Sequence, residues 1–238
     1  MSNSNRIILA TYLPLTLLIL LFTTLYALES QALYLKFGVR VAMFLTVLIL
    51  NKRIWTQRIL IFAFLCTLLS DYFFVLLRAT NPDFPNRELY GMVGFIVAYL
   101  FLIAAFQRHL SFGKREVLTL LPFVVVFGIV LSLLAKHAVG FMFVAAVILG
   151  VVLCYTGMTM VSTLYRGYFT KSAAWLIAIS GCVLFFSDMV VAFSIFHPAF
   201  KPFLLWKENL IWGTYMLGWI LLLIIAGEEK LTLNSNRL

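Results

Sequence analysis

Residues Trp55 to Leu77 read WTQRILIFAFLCTLLSDYFFVLL. Past Arg58 the run is apolar enough to cross a bilayer, which takes about 20 such residues. Yet it carries an acid, Asp71, directly after Ser70. A second long apolar run repeats the pattern: Ser187-Asp188 sits inside LFFSDMVVAFS, residues 184 to 194. The other acids, Glu29, Asp83, Glu88, Glu116, Glu208, Glu228 and Glu229, fall at span edges or in loops. A carboxylate near mid-membrane costs roughly 2.5–3.5 kcal/mol on insertion scales. Such a residue faces the bundle interior and needs a partner. Two readings follow: structural acids that hydrogen-bond helices together, or a functional pair.

Working outward, 63% of the 238 residues are hydrophobic and 11% are charged. Soluble domains carry about 25% charged residues, so one soluble core does not hide this much apolar surface. The apolar runs are long and continuous, whereas a β-barrel needs short segments of alternating polarity. The expected class is all-α: a polytopic transmembrane helical bundle filling residues 1–238 as one domain. The net charge of +9 does not indicate nucleic-acid binding. The basic residues lie in short loops, with no run longer than Lys52-Arg53 or Lys114-Arg115. Cys66, Cys154 and Cys182 all fall in spans, an odd set that argues against a disulfide framework and for small buried hydrophobes. Arg6 followed by about twenty apolar residues exceeds the core of a signal peptide, and no A-x-A-like site closes it. It reads as a retained first span.

Eight spans are expected: Ile7–Leu28, Leu33–Leu50, Trp55–Leu77, Glu88–Gln107, Val117–Ala135, Ala138–Leu164, Ala173–Phe196 and Trp206–Gly227. Only Lys136-His137 separates the fifth from the sixth, which predicts a very tight turn. With both termini cytoplasmic, the inner segments hold Arg6, Lys52, Arg53, Arg58, Arg108, Lys114, Arg115, Arg166, Lys171, Lys230 and Arg237. The outer segments hold Arg78, Arg87, Lys136, Lys201 and Lys207. That asymmetry favours both termini inside.

Depth then groups four side chains. At 1.5 Å per residue, Asp71 lies about 9 Å and Asp188 about 12 Å from the outer ends of their spans. Arg40 in span two lies about 10 Å in, and Tyr215 in span eight about 14 Å. Four spans thus place polar groups in one layer, which points to one site.

Two carboxylates in a low-dielectric layer do not both ionise cheaply, so the pair offers an acid and a base. That suits general acid/base chemistry and equally a proton relay in a transporter. Arg40 and Lys36 are four residues apart on one helix face. Lys36 either snorkels to the outer interface or joins the site. Arg40 lies deeper and needs an anionic partner, either one of the aspartates or a phosphate gripped bidentately. Tyr99 and Tyr215 offer phenolic hydroxyls or are ordinary amphipathic aromatics. Trp55, Trp175, Trp206 and Trp212 read as an interfacial belt. Ser70 and Ser187 bond backbone or the adjacent carboxyl. His109, His137 and His197 lie in loops or at span ends, and the sequence has no metal-ligand spacing and no nucleophile-His-acid motif.

The order of these features resembles the YhhN/lysoplasmalogenase family of eight-span membrane proteins over nearly the whole chain. Its third-span L-L-x-x-L-G-D pattern is similar to Leu65 through Asp71, and its fourth-span G-x-x-x-F-x-x-x-H-L-x-Y to Gly91 through Leu102. Its seventh-span Gly…Leu-Phe…Ser-Asp is similar to Gly181 through Asp188, and its last span to Thr214-Tyr215 through Trp219. The chain departs from the family where Arg40-Val41 stands for Lys-Pro, Ser70 for Gly, Tyr99 for His, Leu102 for Tyr and Trp219 for Gln. The aspartates and Tyr215 stay.

The resemblance implies hydrolysis of the vinyl ether bond of lysoplasmalogens, with Asp71 and Asp188 catalytic in unassigned order. Arg40 and Lys36 would bind the substrate phosphate, with Tyr215 and Tyr99 completing the substrate-binding residues. No metal or organic cofactor is implied. The partners implied are a lysophospholipid and membrane lipids, with no nucleic acid, in a bacterial inner (plasma) membrane. Two other readings stay open: a lipid-binding protein that has lost catalysis, to which the change at Tyr99 points, and a small proton-coupled transporter. The two Ser-Asp pairs hint at repeated halves, although their spans run in the same direction.

Overall fold

The computed structural model describes residues 3–26, 29–50, 54–107, 113–137, 140–200 and 209–233. Of the sequence expectations, those on Leu28, Lys52, Arg53, Arg108, His109, Ala138, Lys201, Trp206, Lys207, Glu208 and Arg237 lie outside the described residues. Eight helices form the described fold. They are α1 (Asn3–Tyr26) and α2 (Glu29–Ile49), then α3 (Trp55–Thr80) and α4 (Arg87–Phe106). The second half holds α5 (Lys114–Leu134), α6 (Phe141–Arg166), α7 (Lys171–Phe196) and α8 (Ile211–Gly227). Seven are long and apolar enough to cross a membrane, and α8 is a shorter apolar helix. No strand occurs among the described residues beyond an isolated bridge between Phe169 and Thr232. The chain is an integral membrane protein of the helical-bundle class.

The expected spans differ mainly at their edges. α5 ends at Leu134 and α6 opens at Phe141, later than the expected Ala138, which lies with Val139 outside the described residues. Gly140, at φ +70°, explains the break, because that backbone region is open mainly to glycine. The turns of α3 just past Asp71 are π-helical over Tyr72–Leu76, a local widening often found at functional sites.

The last helix is the hub. α8 packs against α1, α2, α3 and α7, and Trp212, Tyr215, Met216 and Trp219 are all buried. A helix hydrophobic all round belongs inside such a bundle. α5 is at the opposite extreme. It packs chiefly on α6 and leaves Leu118, Leu121, Val125 and Ile129 exposed, a face suited to lipid tails as apolar as leucine itself.

Small residues let the acid-bearing helices approach their neighbours closely. A Cβ on Gly94 of α4 would overlap Ser70 Oγ on α3. On α8, a Cβ on Gly218 would come 2.6 Å from Leu184 Cγ of α7, and Ser180 Oγ donates to the Gly218 carbonyl at 2.9 Å.

Polar contacts tie one end of the bundle. Asn5 Nδ2 donates to Glu228 Oε2 at 2.5 Å and Gln57 Nε2 to the Glu228 carbonyl at 2.8 Å. The Thr170 amide donates to the Leu231 carbonyl at 3.0 Å. The start of α1, the start of α3, the start of α7 and the end of α8 therefore share one side. Asp71 and Asp188 lie toward the other.

Candidate active site

Asp71, on α3, is 3% exposed. Its Oδ2 accepts from Arg40 Nε at 2.6 Å and from the Tyr215 hydroxyl at 2.8 Å. Both bonds fall on Oδ2, which leaves Oδ1 of a residue that lines a cavity. Arg40 is fully engaged around this carboxylate. Its Nη2 donates to Thr67 Oγ1 at 2.7 Å. Its guanidinium carbon lies 4.8 Å from the Tyr215 ring centre and 5.0 Å from that of Trp219. A planar, delocalised cation suits such an aromatic clamp better than an ammonium would. Trp219 is held in turn by Phe64, edge to face at 4.9 Å.

Asp188, on α7, has a different environment. Its Oδ2 accepts a hydrogen bond from the Tyr99 hydroxyl. Tyr99 is completely buried. Phe95 links the two halves: its ring stacks on Tyr99 at 6.3 Å and meets Tyr215 edge to face at 5.8 Å. One aspartate thus has a guanidinium and a phenol, the other a phenol. Ser70 and Ser187 donate to backbone carbonyls, of Cys66 at 3.0 Å and Ile211 at 3.4 Å.

Asp71, Asp188 and Tyr215 line one cavity of about 360 Å³. Lys36, Arg78, Arg87 and Glu88 also line it. The last three stand where α3 ends and α4 begins, so they form its mouth. Arg87 Nε donates to Glu88 Oε1 at 2.9 Å. Lys36 is 4% exposed and its Nζ lies 5.6 Å over the Trp212 ring. Of the residues singled out from sequence, Asp71, Asp188, Tyr215 and Lys36 meet in this cavity. Arg40 and Tyr99 stand directly behind the two carboxylates. No group of three or more His, Cys, Asp or Glu that could hold a metal occurs among the described residues.

A model of the YhhN family matches residues 14–226, most of the chain. The chain belongs to the YhhN family. Comparison with curated proteins finds no match, and comparison with solved structures finds none.

In this YhhN protein several residues of the site carry little signal in sequence. Trp212 does not join an interfacial belt: it is 4% exposed and forms a cavity wall. Trp55 and Trp175 are exposed, as belt residues would be. Composition does not separate the two cases, because an indole suits an interface and a core equally. Arg78 was detectable. It follows Asp71 by seven residues, two helical turns, and so falls on the same face. Thr67, four residues before Asp71, shares that face too. The cysteines are free; Cys154 is buried, Cys66 is half-buried, and Cys182 is exposed on the bundle surface rather than buried.

Proposed function

We propose that this YhhN protein hydrolyses the vinyl ether bond of lysoplasmalogens, using Asp188 as acid and Asp71 as the ionised partner. The observation that carries this reading is the unequal support of two carboxylates on one cavity. Asp71 has a cation at 2.6 Å and is suited to carry charge. Asp188 accepts from a phenol, a neutral donor that offsets less charge than a guanidinium, so of the two it is the better suited to carry a proton.

The reaction asks for that pair. Asp188 gives its proton to the enol-ether carbon remote from oxygen, leaving an oxocarbenium ion. The Asp71 carboxylate faces the cation, stabilises it and takes a proton from the water that adds to it. The hemiacetal then collapses to a fatty aldehyde and the free hydroxyl of the glycerophospho-base, and the proton returns to Asp188. One water is consumed, with no net oxidation. Tyr215 and Tyr99 orient the carboxyls. Arg40 is a positioning residue acting through Asp71, while Lys36 and Arg78 of the cavity wall would face the phosphate. With both termini cytoplasmic, as the loop charges favour, the mouth opens at the outer leaflet of a bacterial inner membrane.

Aldehyde release from a lysoplasmalogen by purified protein tests this. The second reading, a lipid-binding protein without catalysis, is favoured by Tyr99 where the family has His. Tight lysolipid binding with no aldehyde would establish it instead. The transporter reading needs a path to both sides of the membrane, and proton flux into sealed vesicles would reveal one.

A further inference from the structure

The cavity continues beyond Asp188. A second, narrower chamber of about 60 Å³ shares Phe74, Phe95, Asp188, Val191 and Ile195 with it. Its remaining walls are apolar and come from α4, α5, α6 and α7, and Asp188 is its one charged lining residue among the described residues. Along α6 the lining runs from Phe143 to Leu153, about 15 Å at 1.5 Å per residue. Phe127 of α5 lines the chamber level with Gly150 of α6. A Cβ on Gly150 would overlap the Phe127 ring, so that ring packs directly on the α6 backbone. Ala146 lies about one turn from Gly150 on the same wall and leaves the passage open.

A cation-rich mouth joined to an apolar passage, with Asp188 at the junction, matches a single-chain amphiphile. A volume of about 60 Å³ suits one chain rather than two. Building on the lysoplasmalogen reading, we propose that this chamber holds the hydrocarbon tail, and that Phe127 on Gly150, together with Ala146, sets the tail length the protein accepts. Each buried methylene contributes enough to raise affinity about fourfold. Affinity therefore climbs with tail length until the chamber is full, then levels off.

The test is calorimetric titration of the full chain, held in an amphipol, with saturated 1-O-alkyl lysophosphocholines of increasing length below their micelle concentrations. These lack the vinyl bond and are not consumed. Ala146→Phe fills the passage and moves the plateau to shorter tails. Phe127→Ala enlarges it and moves the plateau to longer ones. Short-tail affinity stays as in the parent protein. If Ala146→Phe does not fold, Phe127→Ala carries the test alone. An unmoved plateau, or an equal loss at every length, overturns the tail chamber while leaving the hydrolase reading intact. A folded parent protein that binds no lysophosphocholine at any length overturns both.

Discussion

Arg40 donates from Nε to Asp71 Oδ2 across the interface of α2 and α3, at 2.6 Å, with both side chains almost wholly enclosed. An ion pair this deep is sensitive to the loss of one member. Arg40→Met should lower stability by roughly 3–5 kcal/mol, because it strands a buried charge. Replacing both, as Arg40→Met with Asp71→Leu, should recover most of that stability and no activity. Thermal unfolding in detergent reads the coupling. A double variant as unstable as the single one would show that packing, not charge, is what Arg40 supplies.

Asp71→Asn and Asp188→Asn should each slow aldehyde release by at least ~10²-fold, the cost of losing a general acid or base. Asp188→Asn should keep the parent melting temperature, since Asn keeps the shape and removes an ionisable group from the membrane, whereas Asp71→Asn leaves the Arg40 charge without its carboxylate and should also melt earlier. Steady-state kinetics beside a melting curve decide it, and near-normal turnover in either variant would remove that residue from the chemistry.

Tyr99→Phe deletes the hydroxyl that binds Asp188 and keeps the ring stacked on Phe95. Asp188 becomes a carboxylate as it gives up its proton, and a hydrogen bond to a charged group is worth about 1.5–3 kcal/mol, so kcat should fall about 10- to 100-fold with KM little changed. Tyr99→His restores the residue common in the family. If the parent protein releases no aldehyde and Tyr99→His does, this single change accounts for a lapsed activity.

Gly94→Ala places a methyl group where Ser70 Oγ lies. Overpacking of this kind costs typically 1–3 kcal/mol. Adding Ser70→Gly should relieve it, because the obstructing side chain is then absent. A melting temperature that the second change fails to raise would mean that α3 and α4 separate rather than strain.

The ends of the chain offer a topology test. Reporter fusions at Met1 and Leu238 should report the same side, and the cytoplasmic side, given the loop charges. Opposite results would mean an odd number of crossings, with α8, the shorter apolar helix, as the one that does not span.

The spans were legible because uninterrupted apolar stretches of membrane length have few other uses. Asp71 and Asp188 were legible because charge there is costly, and Tyr215 because its depth matched theirs. Pairing was not legible: Arg40 could have faced either aspartate or a phosphate, and only tertiary packing distinguishes these. Tyr99 looked like any membrane tyrosine until its hydroxyl met Asp188. Trp212 was misread because an amphipathic ring gives no signal of which way it turns. The π-helical turns after Asp71 have no sequence marker such as Pro or Gly within Tyr72–Leu76.

The hub position of α8 bears on biogenesis. Translation delivers α8 after α1 to α7, so seven helices precede the one that joins them. Arg40 and Asp71 must meanwhile reside in lipid without Tyr215 and Trp219 around them. A lone charge there is expensive, whereas α2 and α3 entering together as a hairpin neutralise each other at once. An ion pair made at that stage would bind two neighbouring helices during synthesis. Its surroundings are complete only with α8, which supplies the phenol of Tyr215 and the indole of Trp219.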